Sequence, residues 1–167
     1  MRWFSHSPRA PQRWLLLDVD GTLSPTGRVR RGQEYLMASA PEGNVAIPAW
    51  IPGALRNLQD SGIRLAWYTA WTTTANGVIA PLLNLHPIPV SPLASGADEP
   101  AVLKAAGLAG WAEYSTRDRY VVLDDDLPDH AVEILPRNVR ATRIDPSAGI
   151  QPHHLADAHH LLGTWTD

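Results

Sequence analysis

Apolar residues in this chain fall in short unbroken runs, each closed by a polar residue. Trp14-Leu15-Leu16-Leu17 ends at Asp18, Ile63 to Tyr68 ends at Thr69, and Tyr120 to Leu123 ends at Asp124. A weaker run from Val139 to Ile144 stops at Asp145-Pro146. Short continuous apolarity suits strands buried on both faces, as in a parallel sheet. Ile88 to Val90 could add a short strand, although the prolines around it count against pairing. Helical spacing fills the intervals. Ile51 to Asp60 carries apolar residues at Ile51, Ala54, Leu55 and Leu58 before a Ser61-Gly62 stop. Thr72 to Leu85 follows, with Pro81 as its weak point. Pro100 to Leu108 and Gln151 to Leu162 each have proline in the first turn, and Gly107 is expected to end the former.

Strands alternating with helices predict a three-layer α/β/α Rossmann-like sandwich around a parallel sheet. In such sheets ligands bind at the carboxyl ends of the strands. Asp18, Thr69 and Asp124 all close strands at that end, so the pattern alone proposes a site. The stretch 24–48 is rich in Pro, Gly and Arg and reads as a β-hairpin flap, with Gln33 to Ser39 and Asn44 to Pro48 around Ala40-Pro41-Glu42-Gly43. It is too short for a cap domain. One domain over 1–167 is expected, with a basic N-terminal arm at 1–12.

Composition narrows the picture little. The chain has 167 residues, 44% of them hydrophobic, and a net charge of -3, which gives no global reason to bind nucleic acid or an anionic membrane. No apolar run reaches the roughly 18 residues that would suggest a membrane span. Met1 to Arg13 lacks an apolar signal core, and the expected location is cytoplasmic. The absence of cysteine excludes disulfides, thiolate-held metal and a cysteine nucleophile. Lys104 is the only lysine in an arginine-rich chain, which draws attention to it.

Asp18-Val19-Asp20-Gly21-Thr22 carries the chemistry. Two carboxylates so spaced converge only if the strand breaks into a loop, and Gly21 supplies the break. This segment resembles the first motif of the haloacid dehalogenase (HAD) superfamily of phosphatases. Thr69, Lys104 and the pair Asp124-Asp125 match the remaining three motifs in order, so the resemblance runs from about Trp14 to Asp129. It implies a phosphomonoesterase in which Asp18 is the nucleophile and Asp20 the general acid and base. Thr69 and Lys104 would neutralise phosphate charge. Mg2+ would be held by Asp18, the Asp20 carbonyl and Asp125, with Asp124 orienting Lys104 and Asp129 as an outer partner. Gly21, Thr22, Ala70 and Trp71 would line the substrate. Asp20 favours phosphate chemistry, since the dehalogenases lack an acid at that position. A response-regulator receiver fails on the order of its motifs.

Trp67 to Asn76, Ala80 to Leu85 and Asp145 to Ile150 further resemble a cap-less branch of the superfamily grouped with "Swiss Army Knife" RNA-repair proteins. That resemblance implies phosphorylated RNA or DNA ends, or nucleotides, as substrates. Tyr68 departs from it, since a smaller residue is expected there. Arg28, Arg30 and Arg31 on the flap could grip a phosphate, and Trp67 and Trp71 could stack a base or simply fill the core. His153, Asp157 and His160 share a helix face, with His154 and His159 beside them, so zinc is conceivable; a solvated face is the simpler reading. No obligate protein partner is evident. The alternatives are a HAD-like binding module without catalysis, a phosphatase of small non-nucleotide metabolites, and a phosphotransferase. The last usually needs a cap that this chain has no room for.

Overall fold

The computed structural model describes residues 9–27, 31–96 and 99–165. The four apolar runs form one parallel sheet in the order β4-β1-β5-β6: β1 Arg13–Leu17, β4 Ile63–Trp67, β5 Arg119–Asp124 and β6 Val139–Arg143. Side chains alternate across it as a pleat requires. Leu15 and Leu17 point into one core with α1 (Ile51–Asp60), α2 (Thr74–Leu82) and α5 (Pro152–Thr164). Trp14 and Leu16 point into the other with α3 (Pro100–Tyr114). The one-turn helix α4 (Asp129–Val132) joins α3 through a small alanine cluster. Leu15, Leu16 and Leu17 are fully buried, each contributing roughly 1.5–3 kcal/mol. The three-layer sandwich is therefore as expected, and no cap is evident among the described residues.

The expected hairpin forms as β2 (Tyr35–Ala40) and β3 (Gly43–Pro48), antiparallel, turning at Pro41-Glu42. It is anchored, since Val45 and Ile47 are buried in the core and the Ala46 N–H donates to Ser24 Oγ at 3.0 Å. Three expectations are corrected. Ile88 to Val90 makes only an isolated bridge from Val90 to Trp67. The helix expected from Thr72 starts at Thr74, because Thr72 lies in the left-handed region at φ 48°. The helix expected to stop at Gly107 runs on to Tyr114. Gly107 has a different job: a Cβ there would press into the Pro92 carbonyl oxygen, so glycine permits the loop that precedes the helix to pack on it.

Strand order places the site. The chain leaves β1, pairs β4 on one side, then returns to pair β5 on the other, so the connections diverge at the carboxyl end of β1. Register aligns Leu17 with both Trp67 and Leu123. The residues that follow, Asp18, Tyr68-Thr69 and Asp124-Asp125, therefore emerge side by side.

Candidate active site

Asp18 is 6% exposed, and its backbone N–H still donates to the Leu123 carbonyl at 3.1 Å, extending the β1–β5 pairing by one step. Lys104, on α3, reaches across from the second core. Its Nζ lies 3.7 Å from Asp18 Oδ2 and 2.5 Å from Asp124 Oδ2, and 5.1 Å from the centroid of the Tyr68 ring. The other Asp124 oxygen accepts the Asp126 N–H at 2.9 Å, so both of its oxygens are engaged. Burial pulls Lys104 toward neutrality, but the adjacent Asp18 and Asp124 carboxylates outweigh it and raise its pKa. Burial likewise favours the neutral form of Asp18, pushing its pKa up to about 7 with help from the Asp124 charge, against the opposing pull of Lys104 and a hydrogen bond from Thr69. Asp125 is also raised, chiefly by burial.

The loop after Asp18 is built around Asp125. Gly21 sits at φ 65°, and a Cβ there would fall 2.3 Å from Asp125 Oδ2. Thr22 is wholly buried; its Oγ1 accepts the Asp125 N–H at 3.0 Å and faces Asp125 Oδ1 at 3.4 Å. From outside, Asp145 to Ile150 braces the loop: Ile150 N–H donates to the Thr22 carbonyl and Thr26 N–H to that of Pro146, both at 2.8 Å. Asp20 is exposed, and its Oδ2 accepts the Trp71 indole N–H at 2.7 Å. The Trp71 backbone N–H in turn donates to Thr69 Oγ1 at 3.3 Å. One short segment thus ties the second strand's end to the second carboxylate of the first.

This is a parallel sheet with a left-handed glycine after the first strand, acids closing two adjacent strands, and one buried lysine between them. The HAD domain of the effector protein Lem4 from Legionella pneumophila shares its architecture, with a TM-score of 0.56 over 89% of this chain and 94% of that one, at 11% identity. The chain has the haloacid dehalogenase fold. Looser likenesses are a hypothetical protein from Xanthomonas campestris (TM-score 0.48, 20% identity, 97% of this chain and 93% of that one) and a probable YrbI-family phosphatase from Pseudomonas syringae (TM-score 0.46, 14% identity, 91% and 85%). No protein-family model and no curated protein matches the chain.

Within this haloacid dehalogenase fold, Asp18, Thr69, Lys104, Asp124 and Asp125 come together, with Asp20 and the exposed Ala70 at the rim. Carboxylate oxygens of Asp18, Asp124 and Asp125 lie within 4.8 Å of one another. Three carboxylates facing one ammonium suit a hard divalent cation, which prefers oxygen donors and would offset the excess charge. Asp18 and Asp125 are the better ligands, since Lys104 and the Asp126 N–H already occupy Asp124.

Other expected residues are placed differently. Trp67 and Trp71 are 0% and 2% exposed, so neither offers a ring face for a base; Trp67 donates instead to Asn76 Oδ1 at 2.8 Å. Thr22 supports Asp125 from inside and cannot reach a substrate. Asp129 is held by Arg143 at 3.1 Å on the surface and is not among the clustered acids. His153, Asp157 and His160 form no metal-competent group among the described residues. His154 instead serves the helix, its Nδ1 accepting the Gln151 N–H at 3.0 Å in a capping box. Arg31 is exposed just before β2, while Arg28 and Arg30 lie outside the described residues. The Trp71–Asp20 bond was not foreseen. Its only sequence signal is an indole two residues beyond a strand-closing threonine, which does not specify a partner.

Proposed function

We propose that the protein is a Mg2+-dependent phosphomonoesterase working through an aspartyl phosphate on Asp18. The observation that carries this reading is the convergence of a buried carboxylate, a lysine 3.7 Å away, and a second carboxylate two residues on held by its own hydrogen bond. A binding module has no need of that combination. Asp18 would attack phosphorus while the bond from phosphorus to the leaving oxygen breaks and Asp20 delivers its proton to that oxygen. Water would then attack the aspartyl phosphate, passing a proton to Asp20 as the acyl-phosphate P–O bond breaks. This frees phosphate and restores the Asp18 carboxylate and the protonated Asp20. Lys104 and the Thr69 hydroxyl would bind phosphoryl oxygens throughout. Asp18, Asp125 and the Asp20 carbonyl would hold the magnesium ion, which supplies charge neutralisation where a dianion meets a carboxylate.

For the substrate we infer phosphorylated nucleic-acid ends or nucleotides. The support is the resemblance of Trp67–Asn76 to the RNA-repair branch and an open rim, with Asp20 and Ala70 exposed, that no cap covers among the described residues. The buried tryptophans withdraw the stacking argument. The test is phosphate release with magnesium, against an EDTA control, from 5′- and 3′-phosphorylated oligonucleotides, mononucleotides and sugar phosphates. Preferential release from strand ends or nucleotides, lost in a folded Asp18→Asn variant, is the expected result. Sugar phosphates turning over best would assign the enzyme to small metabolites. A folded Asp18→Asn protein with undiminished activity would sink the mechanism.

A further inference from the structure

At the opposite end of β5 from Asp124 lies a surface cavity of about 540 Å³ whose lining includes Arg119, Arg137, Asn138, Arg140 and Trp165. A smaller depression of about 330 Å³ adjoins it through Thr116 and adds Arg9 and Arg117. Five of the chain's 13 arginines therefore gather in one place on a protein with a net charge of -3. Among the described residues, Arg117, Arg137 and Arg140 have no carboxylate at ion-pair distance. The one acid of the depression, Asp118, is buried and taken up by the Gln12 N–H at 2.7 Å and the Trp14 indole at 3.4 Å. Gathering Arg117, Arg137 and Arg140 with no carboxylate beside them among the described residues costs free energy, so the arrangement calls for an anion.

The arginines are also held in place. The guanidinium carbons of Arg140 and Arg119 lie 4.7 and 5.9 Å from the centroid of the Trp165 ring, a cation–π contact for each. Arg119 Nη1 donates to the carbonyls of Thr116, Arg117 and Asp118, and Arg140 Nη1 to that of Arg137 at 3.3 Å. Anchored guanidiniums lose little freedom when a ligand binds, and their planar forks match phosphate oxygens better than point charges do.

We propose that this cavity is a second site, distinct from the acidic one, for a multiply charged phosphate ligand. Two sources offer that chemistry: the backbone of a single-stranded nucleic acid and the phosphate tail of a nucleoside triphosphate. β5 has six residues, so its five rises separate the site from Asp124 by about 16 Å. Neither source needs the phosphatase reading, because binding is measured here without turnover.

The experiment uses the full chain in EDTA and follows fluorescence anisotropy with two labelled probes. One is a twelve-nucleotide single strand with hydroxyl at both ends, the other a fluorescent ATP analogue. Saturable binding of either probe is expected, weakened at least about tenfold by Arg137→Ala/Arg140→Ala and unchanged by Asp18→Asn. If the strand is the ligand, the slope of log affinity against log salt should fall by about 1.4 on losing two phosphate contacts. Arg137→Lys/Arg140→Lys should recover part of the affinity, separating charge from a general disturbance of the surface. The proposal is overturned if neither probe binds, if the double-alanine variant binds like wild type, or if polyglutamate of equal charge binds as tightly as the strand.

Discussion

Asp20 lies at the exposed rim, and a carboxylate there can adopt several rotamers unless something selects one. Trp71 does so from a buried position, its indole N–H 2.7 Å from Asp20 Oδ2. Trp71→Phe keeps an aromatic ring in the core and removes the donor, with a loss of buried volume that slows both esters alike. A hydrogen bond to a charged group is worth about 1.5–3 kcal/mol. If that bond aims the proton toward the leaving oxygen, the first step should slow about 10- to 100-fold for an alkyl phosphate. For p-nitrophenyl phosphate, whose leaving group needs no proton, the loss should be about threefold or less. Rapid-quench measurement of the first step on both esters checks this. Equal losses would make Trp71 a packing residue with no part in proton delivery. Tyr68 belongs to the same scale: its ring backs the Lys104 ammonium at 5.1 Å, which gives the unexpected bulk at that position a use.

Helix α3 shows what element-level patterns reveal and what they hide. It contains two glycines with opposite surroundings. Gly110 is exposed with nothing near its missing Cβ, whereas a Cβ on Gly107 would press into the Pro92 carbonyl at 1.9 Å. Gly110→Ala should therefore stabilise the protein by about 0.5–1 kcal/mol through helix propensity. Gly107→Ala should destabilise it by about 1–3 kcal/mol through overpacking, although the two exchanges look identical in sequence. Urea denaturation of both variants reads the sign directly; a stabilising Gly107→Ala would mean the loop moves aside freely. The same contrast explains how far the sequence was legible. Strands β1, β4, β5 and β6 could be read because burial on both faces demands unbroken apolar runs, and each run ends where a polar group must emerge. The acids, Thr69 and Lys104 could be read because their order along the chain is itself a pattern. Contacts between elements left no such trace. Thr22 under Asp125, Trp71 on Asp20 and the Asp145–Ile150 brace depend on which strand ends become neighbours in space. For the same reason Trp67 and Trp71 read equally well as base-stacking or core residues until their burial was known.

Over the whole molecule, charge is separated along the strands, with acids at their carboxyl ends and arginines at the far end of β5 and β6. At the acidic end, folding buries more negative charge than Lys104 alone offsets, and Asp18 responds with a pKa raised from 3.8 to about 7. The sign of the consequence follows from proton linkage. Between pH 4 and 7 the folded protein binds more protons at Asp18 than the unfolded chain does, so stability from this group falls as pH rises through that window. In EDTA, the wild-type melting temperature should therefore decline between pH 5 and 7.5. Asp18→Asn, with no charge to bury, should flatten that slope and melt higher at pH 7.5, by about 2–4 °C for each kcal/mol gained. Magnesium should raise the wild-type melting temperature at pH 7.5, because a ligand that binds only the folded state stabilises it, and Asp125→Asn should remove most of that rise. Calorimetry across this grid of pH, metal and variant separates two cases. If Asp18→Asn melts higher only without magnesium, the strain lies in unbalanced charge at Asp18, and the metal is what relieves it. If Asp18→Asn melts lower in EDTA, the Lys104 and Thr69 contacts to Asp18 outweigh its burial, and the carboxylate is itself a structural tie between β1 and α3.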